Sequence, residues 1–328
     1  MRRFVFHINN SKRAQEFLTI HSRPVNADNV GATVLFETGL YFDVGILIQG
    51  PILTNNNFTL ETIRLYRKMF PSVNITLSTW RSDSHKICSR QLDLLRCNLV
   101  LSERPVFTGS HNINLQKITT HSGLLSLKEC GVIFALKTRT DQRFYSVNTI
   151  SYLLHLIRQY PASERDVAGR IIELSIATCK FRPWSMCDMF QFGYLSDLMK
   201  MWSFELEFRD RTAEEFASKR YTVRDIVNEN VAEIFVHRFY AEQCNISCQP
   251  TYEDYYDAVR KLFIIIDKEQ IDIFWAKYHS GEYSWAGNKP YEQDYFLSRL
   301  SHAEWSMLMD GTRPIIKDID KYYDHYEN

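Results

Sequence analysis

Lys137, Arg139 and Asp141 occupy every second position of the stretch KTRTD, so on an extended chain their side chains share one face. They follow Val132 to Leu136 (VIFAL), a continuous apolar run with the character of a buried strand. Two cations and a carboxylate at the mouth of such a strand suit a diphosphate. The cations offset phosphate oxygens, and a carboxylate oxygen suits a hard divalent ion such as Mg or Mn. The same residues would also serve as a structural ion-pair cluster that holds a loop.

Ahead of this run lies a long helical stretch, from about Asn112 or Asn114 to Cys130. Asparagine suits its start and Gly131 its end. Asn112, Gln116, Thr120 and Gly123 fall along one side, with apolar residues on both flanks. A helix apolar on two sides is mostly buried, so its polar stripe needs partners. A ligand or an internal hydrogen-bond network would supply them. Gly123 at mid-helix costs about 1 kcal/mol against alanine, which points to a close approach there.

A third candidate is Asp188, within RPWSMCDMFQFG (182–193). A carboxylate among rings is raised in pKa or paired. It suits a sugar hydroxyl or a catalytic base, and equally the cap of a following helix. Farther along, 283–294 (YSWAGNKPYEQD) mixes rings, amides and acids and ends in Asp294. Such a loop suits carbohydrate contact or a plain surface.

These residues require elements to hold them. Val44 to Ile48, Val73 to Leu77, Asn98 to Leu101, Val132 to Leu136 and Ile171 to Ile176 read as strands. Helical patterns run from Phe58 to Phe70, along the stretch ending at Cys130, and from Val147 to Gln159. Continuously apolar strands alternating with helices predict an α/β fold with a parallel sheet covered on both faces and right-handed crossovers. After about Trp202 helical patterns dominate, with Val227, Val231, Ile234, Phe235 and Arg238 along one helix. Ligands of open parallel sheets bind beyond the carboxyl ends of the strands. Here those ends carry Gln49-Gly50-Pro51, Thr79-Trp80-Arg81, Ser102-Glu103-Arg104 and Lys137 to Asp141. Neither G-x-G-x-x-G after the first strand nor G-x-x-x-x-G-K-[ST] occurs, which argues against a dinucleotide fingerprint or a P-loop.

Composition bounds the rest. The chain has 328 residues, 45% of them hydrophobic, with 39 basic and 39 acidic side chains. A zero net charge gives no global field for nucleic acid. Seven scattered cysteines, with neither a signal-like segment nor a long apolar span, predict reduced thiols and a cytoplasmic location. Cys244 and Cys248 lack a second pair nearby for a zinc site.

The ordered set VGILIQGPI, RLYRKMFP, ITLSTW, NINLQKITTHSGLLSLKECG, ALKTRTDQRFY and RPWSMCDMFQFG, from Val44 to Trp202, resembles the WavE-type lipopolysaccharide-synthesis family. That family is similar to the GT-A glycosyltransferases. The resemblance implies a GT-A-like, Rossmann-type sheet over 1–205 that binds a nucleotide sugar, its first ~40 residues peripheral. A mostly helical acceptor-side lobe would cover 206–328. The metal-binding D-x-D would fall on Arg139-Thr140-Asp141, where only Asp141 matches and Arg139 replaces the first acid. By the same resemblance Gln49, Gly50 and Pro51 border the nucleotide and Thr79 and Trp80 approach its base. Asp188 would lie near the sugar or acceptor, while Gln116 of the polar stripe and Lys137, Arg139 and Asp141 of the strand end are the further donor-site candidates from the residues themselves. The expected activity is transfer of a sugar from a nucleotide donor to a glycan or glycolipid acceptor. Asp188 is the first candidate base, with Asp294 and Glu205 as weaker ones. Such an acceptor implies peripheral association at the inner face of a membrane, without a clear amphipathic anchor in the sequence to support it. Transfer of a phosphorylated group, or a non-catalytic subunit of polysaccharide assembly, would use the same fold.

Overall fold

The computed structural model describes residues 23–29, 40–209, 221–276, 299–312 and 326–327. Strand β1 (Val44–Gln49) is buried along its whole length, as its apolar, β-branched composition requires. It lies between β2 (Asn74–Trp80) and β4 (Phe134–Arg139), parallel to both. Helix α1 (Phe58–Met69) connects β1 to β2 and ends where Pro71 forbids continuation. After α2 (Ser89–Leu94), β3 (Cys97–Ser102) adds in parallel to β2.

Helix α3 (Ile113–Glu129) returns the chain from β3 to β4 and lies against β1, β2 and β3. Its glycine explains how closely it sits. A Cβ on Gly123 would lie 2.2 Å from Leu47 Cδ1 and 3.1 Å from Ser78 Cβ. The close approach expected at this position is therefore made by the sheet. Gly131 follows the helix at φ 73°, the left-handed conformation that suits a helix C-terminus.

Past β4 come the short β5 (Gln142–Phe144), α4 (Thr149–Gln159), β6 (Ile171–Leu174), β7 (Gln191–Tyr194) and α5 (Leu195–Met201). Then follow β8 (Tyr221–Thr222), α6 (Val223–Glu229), α7 (Ala232–Gln243), α8 (Tyr252–Leu262) and β9 (Phe263–Ile266). The last described elements are β10 (Ile273–Trp275), α9 (His302–Met309) and β11 (Tyr326–Glu327). The main sheet has seven strands in the order β3-β2-β1-β4-β7-β6-β9. Every pairing is parallel except those of β7, which runs against β4 and β6. Two small ribbons, β5 with β10 and β8 with β11, are antiparallel.

The α/β fold with a mostly parallel sheet is thus as expected, and several details differ. β4 extends through Lys137 to Arg139, because Lys137 and Thr138 are buried within it and pair with β1. The helix read along 227–238 is two helices, divided at Asn230, whose φ of 57° ends α6; asparagine adopts this conformation more readily than most residues. The segment after 205 is rich in helices, yet it also returns β9 to the sheet beside β6. Phe263, Ile264, Ile265 and Ile266 are fully buried there. All seven cysteines are free thiols. Among the described residues no helix is long and apolar enough to cross a membrane.

Candidate functional site

The turn after β1 is fastened to the end of β4. Gly50 has φ 117°, and a Cβ there would lie 3.2 Å from Thr140 Oγ1. Thr140 is buried; its amide donates to the Gln49 carbonyl at 3.0 Å and its hydroxyl to the Pro51 carbonyl at 2.6 Å. Thr59 donates to the Thr140 carbonyl at 3.1 Å. These contacts set the direction in which the two neighbours of Thr140 leave the sheet.

Those neighbours are Arg139 and Asp141, joined as a bidentate pair. Nε lies 2.9 Å from Oδ1, and the terminal nitrogen 3.1 Å from Oδ2. Burial alone would raise the Asp141 carboxyl, but Arg139 and Trp275 hold it below its ordinary value. Arg139 lines a cavity of about 460 Å³ together with His111, Gln116, Arg182, Asp188, Glu233 and Trp275. Asp141 lines a second cavity of about 560 Å³, whose walls include Phe58, Tyr145 and Phe274. Strand β10 stands between them, with Trp275 facing the first cavity and Phe274 the second.

Asp188 enters the smaller cavity from the loop before β7. Its Oδ2 accepts from Gln116 Nε2 at 2.6 Å. A strand follows it, so the helix-cap reading does not hold. Gln116 comes from the first turn of α3, which is entered through two consecutive left-handed residues, His111 (φ 53°) and Asn112 (φ 63°). Ser110 N donates to the Glu207 carboxylate at 2.7 Å, and Asn114 bonds both backbone groups of Glu207, fixing this entry. Across the cavity Arg182 lies 3.9 Å from Glu233, which also accepts from Ser185 at 3.3 Å.

Lys137 stands one layer below. It is fully buried, donates to the Asp188 carbonyl, and lies 4.3 Å from the centroid of the Trp202 ring. Burial lowers its pKa to about 8, against the opposing pull of Asp188. Lys137 therefore lines neither cavity. Gln49 is also buried and accepts from Thr119 at 2.8 Å. Gly50 and Pro51 form the pinned turn. Thr79 and Trp80 are buried, and Arg104 covers the indole at 5.0 Å from its centroid. None of these five lines either cavity. Glu205 is exposed and lines neither. Asp294 and the rest of 283–294 lie outside the described residues.

The structure thus gathers Gln116, Arg139 and Asp188, with Asp141 behind Arg139. It adds His111, Arg182, Glu233 and Trp275, which sequence reasoning did not assign. Arg182 stood in a segment already singled out, whereas Glu233 and Trp275 arrive from a part of the chain with no local motif.

A divalent ion does not fit these residues. Asp141 is a single acid with both oxygens held by Arg139. Among the described residues no group of three or more His, Cys, Asp or Glu side chains is arranged to hold a metal.

Comparisons with known proteins bear on the fold and the family. Solved structures similar to this chain include a cytidylyltransferase from Leptospira borgpetersenii serovar Hardjo-bovis strain JB197, at 12% identity and a TM-score of 0.31, covering 50% of this chain and 65% of that one. A mannose-1-phosphate geranyltransferase from Thermus thermophilus gives 12% identity and a TM-score of 0.26, covering 40% and 41%. Mouse xyloside xylosyltransferase 1 in its apo form gives 7% and 0.33, covering 69% and 86%. The chain therefore spans less than two thirds of the length of the first two. Likenesses this distant leave the activity to the site itself. A search of curated proteins found no match. A family profile described as WavE lipopolysaccharide synthesis matches residues 44–273. That match covers more than half of the sequence and all seven strands of the main sheet, and the chain belongs to the WavE lipopolysaccharide synthesis family.

Proposed function

We propose that this protein is a glycosyltransferase that moves a sugar from a nucleotide-sugar donor to a surface-glycan or glycolipid acceptor. The observation that carries the reading is the 460 Å³ cavity, which places the Arg139 guanidinium and the Asp188 carboxylate on one space at the carboxyl end of β4. Inverting glycosyl transfer needs both at once. Charge develops on a departing nucleotide phosphate, and an acceptor hydroxyl must lose a proton.

Arg139 supplies the cation for the phosphate, oriented by Asp141 behind it. Asp188 takes the acceptor proton, with its carboxylate held by Gln116. Arg182 and Glu233 offer donors and acceptors to sugar hydroxyls, and Trp275 offers a ring face. No step passes through a metal ion, because Arg139 stands where a first metal-binding acid would. Placement at the inner face of a membrane belongs to this proposal through the acceptor.

A second reading is a nucleotide-binding subunit without turnover. The Arg139–Asp141 pair favours it, since the pair satisfies itself in the absence of ligand. A thermal-shift screen with nucleotides and nucleotide sugars, with and without manganese, followed by a transfer assay on any donor that binds, decides between them. Binding with transfer supports the enzyme, and binding without transfer supports the subunit. No shift with any donor removes both.

A further inference from the structure

Three side chains stand directly opposite one another across adjacent strands: Lys137 on β4, Gln191 on β7 and Glu173 on β6. All three are fully buried. Gln191 Nε2 donates to Glu173 Oε1 at 2.8 Å, and its Oε1 accepts from Trp202 Nε1 at 2.8 Å. Beyond Glu173, His237 of α7 places Nε2 2.9 and 3.0 Å from the two carboxylate oxygens. His237 Nδ1 faces the Glu233 carbonyl and therefore carries a proton. Burial raises the Glu173 carboxyl above its ordinary value, while the contacts from His237 and Gln191 pull it toward the carboxylate. Burial opposes a charge on His237; Glu173 overcomes it and raises the imidazole above its ordinary pKa.

His237 and Glu173 thus balance each other. The charge of Lys137 is met at the other end of the row, by the Asp188 carbonyl and the Trp202 ring. Burying an ionised group in a sheet is expensive unless it is paired and hydrogen-bonded. Here the group is spent on a single backbone carbonyl, that of the residue whose carboxylate enters the cavity.

We propose that Lys137 is a positioning residue: its ammonium, seated on Trp202, grips the Asp188 carbonyl and fixes the loop that aims the Asp188 carboxylate into the cavity. The catalytic meaning rests on reading Asp188 as the base. The clamp itself is a relation within the protein and is testable without substrate. The charged and titratable groups that face Lys137 are Asp188 and Cys187 of the loop, Glu173 of β6 and Arg139 of its own strand. As pH rises through about 8 the ammonium loses its proton. A charge-assisted hydrogen bond then becomes a neutral one, roughly half as strong.

The test is backbone hydrogen exchange of the full chain without ligand, followed by mass spectrometry and corrected for intrinsic base catalysis. Segment 186–190 is compared with β1 in the same molecule. Lys137→Met should lower the protection of 186–190 by about tenfold or more while β1 keeps its own. Lys137→Gln, which retains an N–H donor, should fall between. In the wild type, protection of 186–190 should decline as pH passes through about 8, and this decline should be missing in Lys137→Met. Unchanged protection in Lys137→Met overturns the clamp. If neither variant folds, a flat wild-type pH series overturns it. In a transfer assay Lys137→Met should lower kcat and leave the donor KM near wild type. Loss of loop protection in a protein that transfers no sugar would keep the clamp and remove Asp188 as a base.

Discussion

Gln116 Nε2 lies 2.6 Å from Asp188 Oδ2, tying the first turn of α3 to the loop before β7. The two residues are 72 positions apart, and their contact converts two polar strays into one oriented carboxylate. Asp188→Asn removes the proposed base and sets an amide against the Gln116 amide. Turnover should fall by roughly 10²–10⁴, the usual contribution of a positioned base. Donor affinity should stay near wild type. Steady-state kinetics with donor binding by calorimetry checks this, and equal losses in both would make Asp188 structural. Gln116→Leu should lower kcat by about tenfold, through loss of one hydrogen bond to a charged group.

The Arg139–Asp141 pair predicts an acid limb in stability. The folded-state pKa of Asp141 lies below its ordinary value of about 3.9, because Arg139 outweighs burial. The sign follows from linkage: the pair's contribution is full above about pH 4 and is lost as pH falls through the depressed value. Asp141→Asn should cost on the order of 1–2 kcal/mol at neutral pH, since the pair is only partly screened by solvent. Urea unfolding from pH 6 down to pH 2 should show the gap between wild type and variant closing. A gap independent of pH would mean that the carboxylate charge plays no part. In catalysis Asp141→Ala should abolish turnover by releasing Arg139, with the fold retained; activity close to wild type in that variant would remove the role.

Donor binding should withstand chelation. Both oxygens of the Asp141 carboxylate are committed to Arg139. A chelator should therefore leave nucleotide-sugar affinity unchanged. Arg139→Ala should weaken it by about 10- to 100-fold, the range for a charge-assisted bond to phosphate. Isothermal titration in chelator and in manganese reads both. Affinity restored by manganese in the wild type would return a metal to the site.

Much of this site could be read along the chain, because its signals were local. The apolar run VGILIQ followed by a glycine turn, and the alternation in KTRTD, each follow from the chemistry of a few adjacent residues. Burial of Lys137 was not local. It depends on Gln191 and Trp202 arriving from β7 and the end of α5, and on β7 running antiparallel, none of which leaves a periodicity near residue 137. The same holds for Glu233 and Trp275, which reach the cavity from α7 and β10. Isoleucines 264–266 were a legible strand signal, hidden by the helical patterns around them. Where a side chain meets a neighbour distant in sequence, spacing tells its type of neighbour but not which one.

Gly123 offers a test of packing that is independent of any activity. Alanine normally favours a helix interior over glycine by about 1 kcal/mol. Here the added methyl would meet Leu47 Cδ1 at 2.2 Å, and Leu47 is fully buried in β1. Overpacking of this kind costs about 1–3 kcal/mol, so Gly123→Ala should destabilise the protein despite its better helix propensity. Urea midpoints at constant slope would measure it. The variant Leu47→Ala loses side-chain volume at the same contact. Adding Gly123→Ala to it should therefore cost less than adding Gly123→Ala to the wild type. Strict additivity of the two changes would mean that the helix shifts bodily to admit the methyl, and that the closeness of α3 to β1 is not what the glycine provides.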